Sequence, residues 1–189
     1  MKKVYIIPWY KTKKDDVWYQ LISDFFESKW INAVIVDIKW EKQIMSQYVE
    51  QFIKQITDFK DEIYILGFSF WAFIAFLSNR ILNPRMQFLC SLSPFFKNDL
   101  KHLKKPWLRF YWKRRMDDFK TFSFDELVKN IDSKTFILAW DNEYFSLIKR
   151  SKIANKKIKN SELHILEWVD HNLNDIRYLQ TLEKLIKTL

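Results

Sequence analysis

The chain has 189 residues, of which 48% are hydrophobic and 29% charged, a balance that excludes a disordered polyelectrolyte and is ample for a core closed without metal or disulfide. The lone Cys90 can neither pair internally nor build a cysteine zinc cluster, and it reads as a buried, inert strand thiol. A net charge of +9 admits a polyanionic partner, but no nucleic-acid-binding motif accompanies it, so nucleic acid is not expected and a lysine-rich solvated surface accounts for the charge.

In chain order, Lys2 and Lys3 lead into a short apolar stretch that Pro8 interrupts and Lys11, Lys13, Lys14, Asp15 and Asp16 end. That is too short for the apolar region of a signal peptide. Since no eighteen apolar residues run together either, a soluble, cytoplasmic protein is expected. Strands are predicted over Lys3 to Ile7, Asn32 to Ile38, Glu62 to Leu66, Gln87 to Leu92, Thr135 to Ala139 and Glu162 to Glu167, all short and rich in branched and aromatic residues. Helical spacing fills the intervals Asp16 to Lys29, Ile44 to Phe59, Phe70 to Ile81, Tyr144 to Lys157 and Leu173 to Leu189. Strand and helix therefore alternate, which predicts an α/β protein: a three-layer α/β/α sandwich round a mainly parallel sheet of about six strands. The chain 1–189 reads as a single domain. Ser93 to Ser133 breaks the rhythm, mixing Trp107, Phe110, Tyr111 and Trp112 with Lys104, Lys105, Arg109, Lys113, Arg114 and Arg115; this stretch, 93–133, is expected to be a cap inserted over the sheet's active edge.

Chemistry enters where the third strand ends in Gly67-Phe68-Ser69-Phe70-Trp71 and a helical pattern follows at once. Further on, Trp140-Asp141-Asn142-Glu143 follows the fifth strand, and Leu166-Glu167-Trp168-Val169-Asp170-His171-Asn172 follows the sixth. Taken singly, Ser69 could be a helix N-cap, Asp141 another, Glu143 a first-turn acid and His171 a polar residue at a helix start. Taken together they resemble the α/β-hydrolase superfamily, with its nucleophile elbow, its acid-bearing turn and its terminal histidine in the order Ser, acid, His. The resemblance implies Ser69 as nucleophile, His171 as general base and Glu143 as triad acid, with Asp141 the second choice. It also implies an oxyanion hole from the amides of Phe70 and Tyr10, and neither cofactor nor metal. His102 and His164 lack such placement and read as surface or strand residues.

An unassisted serine hydroxyl is a poor nucleophile; an imidazole must take its proton and return it to the leaving group, while a carboxylate fixes the imidazole's tautomer. The expected function is thus cleavage of a small carboxylic ester or thioester through an acyl-enzyme. The basic and aromatic cap suggests an apolar substrate bearing an anionic group, or docking to an anionic membrane surface. The alternative is a catalytically inactive module that keeps the scaffold and holds an anionic partner.

Glycine is the anomaly. Gly67 stands alone, whereas tryptophan occurs nine times, and average usage would give about 13 glycines in such a chain. Trp9, Trp71, Trp140 and Trp168 stand where the family has glycine, and Trp30 occupies a helix C′ position that glycine usually fills. The shared form of these departures predicts glycine at all five, through UGA codons read as glycine, against the alternative of a tryptophan-rich protein whose sites have diverged.

Overall fold

The computed structural model of the protein describes residues 1–9, 15–103, 112–167, 171 and 175–189. Its elements run β1 (Lys2–Ile7), α1 (Val17–Glu27), β2 (Asn32–Ile35), α2 (Met45–Ile53), β3 (Glu62–Phe68), α3 (Phe70–Leu82), β4 (Met86–Cys90), α4 (Lys113–Phe119), α5 (Phe124–Leu127), β5 (Lys134–Trp140), α6 (Phe145–Lys157), β6 (Ser161–Leu166) and α7 (Ile176–Lys187), with short 3-10 turns at Leu100–His102 and Val128–Asn130. Every strand and long helix expected from the apolar pattern is present.

The six strands form one sheet in the order β2-β1-β3-β4-β5-β6, with every neighbouring pair parallel. Alternate side chains of each strand go to opposite faces. Tyr5, Ile63, Ile65, Leu89 and Ile137 join the core beneath α2, α3 and α6, whereas Val4, Ile6, Leu66, Phe88, Phe136 and Leu138 join the core beneath α1 and α7. Both faces are covered, as a parallel sheet requires, and the architecture is the three-layer sandwich that the alternation predicts. Strand order reverses at β1, whose neighbours are β2 and β3, and ligands in open α/β sheets bind above the carboxyl ends at such a point.

Local differences have local causes. Strand β2 stops at Ile35 rather than Ile38 because two glutamines of the α2 segment take over its backbone groups: Gln55 bonds both N–H and C=O of Asp37, and Gln51 both of Lys39. Helix α2 ends early, at Ile53. In the interval 93–133, Phe95, Phe96, Phe119, Phe124 and Ile131 are buried in the same core as α2 and α3. Helix α4 is tied to the start of α2: the Asp118 carboxylate accepts from the amide and hydroxyl of Ser46, and Arg115 donates to the Gln43 carbonyl at 2.6 Å and the Tyr48 hydroxyl at 2.8 Å. Arg115, one of the basic residues of the interval 93–133, thus serves an internal joint. Residues 104–111, with Lys104, Lys105, Trp107 and Arg109, lie outside the described residues. Among the described residues no helix is long and apolar enough to cross a membrane.

Candidate active site

Strand β3 runs straight into α3 with Ser69 as the hinge. Ser69 has φ 51° and ψ −116°, a left-handed backbone that a non-glycine residue adopts only when its surroundings enforce it. Its amide donates to the Cys90 carbonyl at 2.6 Å, fastening the hinge to β4. Its side chain makes no capping hydrogen bond to α3, so the plain N-cap role is not what Ser69 performs. Gly67 makes the turn sterically possible: a Cβ there would stand 2.6 Å from the Trp71 carbonyl oxygen and 3.0 Å from the Ala72 Cα. Phe70 heads α3 directly after Ser69, which sets its amide at the positive end of the helix dipole.

The carboxylate comes from the turn after β5. Glu143 has a fully buried side chain, and its Oε1 lies 2.6 Å from His171 Nδ1. Against an ionised carboxylate, which only accepts, Nδ1 is the donor of this bond, and in the neutral ring that tautomer places the lone pair on Nε2. Two further donors hold the acid: the Ser91 hydroxyl on Oε1 and the Trp140 amide on Oε2 at 3.3 Å. Ser91 is itself buried, with φ 55° at the end of β4. Asp141 is exposed and its amide pairs with the Leu166 carbonyl at 3.0 Å; of the two candidate acids, Glu143 is the one set against His171. Cys90 and Tyr178 lie behind the acid. Burial, with the Glu143 charge adding to it, pushes the Cys90 thiol up to about 12, and burial likewise pushes the Tyr178 phenol well above its ordinary value. Both stay neutral, as an inert Cys90 requires.

Ser69 and His171 line one cavity of about 190 Å³. Its other walls include Phe95, Leu103 and Leu147, with the exposed rings of Tyr144 and Phe145 at the rim. His102, expected at the surface, is exposed and also lines this cavity; His164 lies on β6, as expected of a strand residue. Sequence reasoning missed Ser91, Leu147 and the rim pair. Ser91 carries no motif, and only the register of β4 beside β5 brings it to the acid. Tyr10 and Trp168 lie outside the described residues. Among the described residues, no three or more His, Cys, Asp or Glu side chains gather as a metal site.

Indole rings crowd the histidine. Trp9 lies 5.0 Å and Trp140 5.1 Å from the His171 ring, and Trp9 also meets Trp71 at 5.5 Å. Trp71 and Trp140 are buried with no acceptor for their indole N–H. Trp30 has φ 61° and is 91% exposed.

No protein-family model and no curated protein sequence matches the chain. Solved structures do. Est1E from Butyrivibrio proteoclasticus superposes with a TM-score of 0.81 at 12% identity, over 99% of this chain and 86% of that one. A meta-cleavage product hydrolase from Pseudomonas fluorescens IP01 does so at 0.70 and 14%, over 98% and 89%. The mouse alpha/beta hydrolase domain-containing protein 10 matches at 0.78 and 8%, over 98% and 88%. The chain has the α/β-hydrolase fold.

Proposed function

We propose that the protein is a serine hydrolase that cleaves a small carboxylic ester or thioester, with Ser69 as nucleophile, His171 as general base and Glu143 as the acid. The observation that carries this reading is the Glu143–His171 contact of 2.6 Å beside a cavity that the strained Ser69 shares. Similar structures bear the names of esterases and hydrolases, and one of them, Est1E, was solved with ferulic acid bound. The interval 93–133 acts as a cap on a single domain.

In this reading His171 Nε2 takes the Ser69 hydroxyl proton as Oγ attacks the carbonyl carbon. The tetrahedral oxyanion collapses, and the bond to the leaving alcohol or thiol breaks as that group takes the proton from His171. Water then attacks the acyl-serine, again losing its proton to Nε2. The acid product leaves and Ser69 recovers its proton. Glu143 stays ionised throughout and stabilises the imidazolium. The Phe70 amide supplies one oxyanion donor, and Tyr10 is the proposed source of the second.

The test is covalent labelling by a fluorophosphonate probe, with Ser69→Ala and His171→Ala as controls. Labelling that both substitutions abolish is the expected result. A folded protein that labels neither with its tryptophans nor with Trp9, Trp71 and Trp140 changed to glycine overturns the reading. The indoles packed on His171 favour a second reading, a catalytically silent scaffold that binds an anionic partner, and that same result would support it.

A further inference from the structure

A second cavity, of about 440 Å³, adjoins the first. Two elements wall both. The 3-10 turn contributes His102 to each, and α6 gives Phe145 and Leu147 to the first cavity but Lys149 and Arg150 to the second. Lys149 follows Phe145 by about one helical turn, roughly 6 Å along the axis. The second cavity is basic. Of its cations Arg150 pairs with Asp99 and Lys157 with Asp125, while Lys101 and Lys149 meet no acid among the described residues. Arg150 is 4% exposed and held over the Phe96 and Phe124 rings at 4.9 and 4.4 Å, with Nε and Nη1 buried without an acceptor. Those donors are covered by protein and Arg150 is already paired with Asp99, so the positive charge a ligand in this cavity can meet is that of the exposed Lys101 and Lys149.

We infer that the substrate is an ester or thioester with a carboxylate or comparable anion a few bonds from the scissile carbonyl, held by Lys101 and Lys149 while the carbonyl sits at Ser69. This rests on the hydrolase reading above. Coulombic capture at the second cavity fixes the chain's direction in the first, so binding energy orients the carbonyl. The probes are three 4-carbon or 5-carbon acyl esters: neutral 4-nitrophenyl butyrate, the mono-4-nitrophenyl ester of glutarate, and the butyrate ester of 4-hydroxybenzoate. The second carries its anion on the acyl side and the third on the leaving group. Expected is a kcat/KM for one of the anionic esters at least about tenfold above that of its matched neutral ester, 4-nitrophenyl pentanoate for the glutarate monoester and the butyrate ester of methyl 4-hydroxybenzoate for the third probe, a ratio that falls towards one in Lys101→Ala/Lys149→Ala and in high salt. A ratio near one in the parent enzyme, or one that survives the double substitution, overturns the inference. Where no ester is cleaved and no probe labels Ser69, the hydrolase reading fails instead. Calorimetric binding of glutarate to the parent protein and the double variant then decides the basic site alone: binding lost in the variant supports it, and no binding to the parent overturns it.

Different observations bear on the tryptophans. Trp30 is solvent-exposed at φ 61°, where an indole gains no packing and only glycine is free of steric cost. Trp71 and Trp140 bury indole N–H groups with no acceptor, whereas buried indoles ordinarily find one. The chain has a single glycine. We infer that positions 9, 30, 71 and 140 are glycine in the protein its own cell makes, so that the space beside His171 now filled by Trp9 and Trp140 opens onto the nucleophile. Codons and peptide masses of the natively produced protein test this, with Trp18 and Trp40 as internal controls. UGA codons and glycine masses at the four positions, with tryptophan at the controls, are expected. UGG codons or tryptophan masses at 71 and 140 overturn it.

Discussion

The two ends of the sheet solve the burial of a carboxylate in opposite ways. At the amino end Asp61, with a side chain 3% exposed, accepts from the N-terminal amine at 2.7 Å and is ion-paired with Lys3 Nζ at 2.7 Å. At the carboxyl end Glu143 is buried completely, and its partners are a serine hydroxyl, an amide and a histidine ring. Ion pairing compensates the first acid. The second faces an imidazole and is otherwise held by neutral donors, with no lysine, arginine or amine paired to it among the described residues. Positive backbone φ occurs at both ends, at Ser69 and Ser91 (51° and 55°) on the carboxyl side and at Trp30 and Asn83 (61° and 42°) ahead of β2 and β4 on the amino side.

Substitutions at either end sharpen this contrast. The largest effect is expected for Glu143→Gln, which removes the charge and disturbs the histidine tautomer. It should lower kcat/KM by roughly 10³- to 10⁴-fold with little change in the unfolding midpoint. Equal losses of activity and stability would make Glu143 a structural acid like Asp61. Gly67→Ala comes next: its Cβ meets backbone rather than a side chain that could move, so urea titration should show a destabilisation of about 1–3 kcal/mol or more. Ser91→Ala leaves one carboxylate oxygen with a single donor and should reduce kcat about tenfold with KM little changed; a purely structural Ser91 would instead lower Tm and leave kcat per folded molecule in place.

At the other end, the hydrogen bond from Lys3 and then that from the N-terminal amine hold the Asp61 carboxyl below the ordinary carboxylate range. A lowered folded value means that Asp61 contributes stability above its unfolded pKa of about 3.9 and loses it as the pH falls through the folded value. Asp61→Asn should therefore lower Tm at pH 7, and the gap to the parent should close on acidification towards pH 3, with esterase activity per folded molecule unchanged. The smallest effect is expected at Cys90: with its thiol pushed up to about 12 and fully buried, it should resist thiol reagents until the protein unfolds.

Much of this was legible in the chain itself. Six apolar runs alternating with helical spacings specified the layers, because strand and helix each stamp their own period on residues that must face a core. The run Glu62 to Leu66, followed by Gly67-Phe68-Ser69 and at once by a helical pattern, located the hinge, and the chain order of Ser69, Glu143 and His171 was readable without any contact. Element ends were less so. Gln51 and Gln55 ended β2 with side-chain hydrogen bonds between residues 12 and 18 apart, which no local pattern announces.

The sequence by itself determined the α/β class, the position of Ser69 and the two rival acids, since these depend on periodicity and neighbours along the chain. Only the tertiary structure sets Glu143 rather than Asp141 against His171, brings Ser91 to that carboxylate and sets a basic cavity beside an apolar one. Those choices depend on the register of β4, β5 and β6 and on a helix that borders both cavities, and separations of 28 and 52 residues between bonded partners are closed only when the whole sheet is assembled.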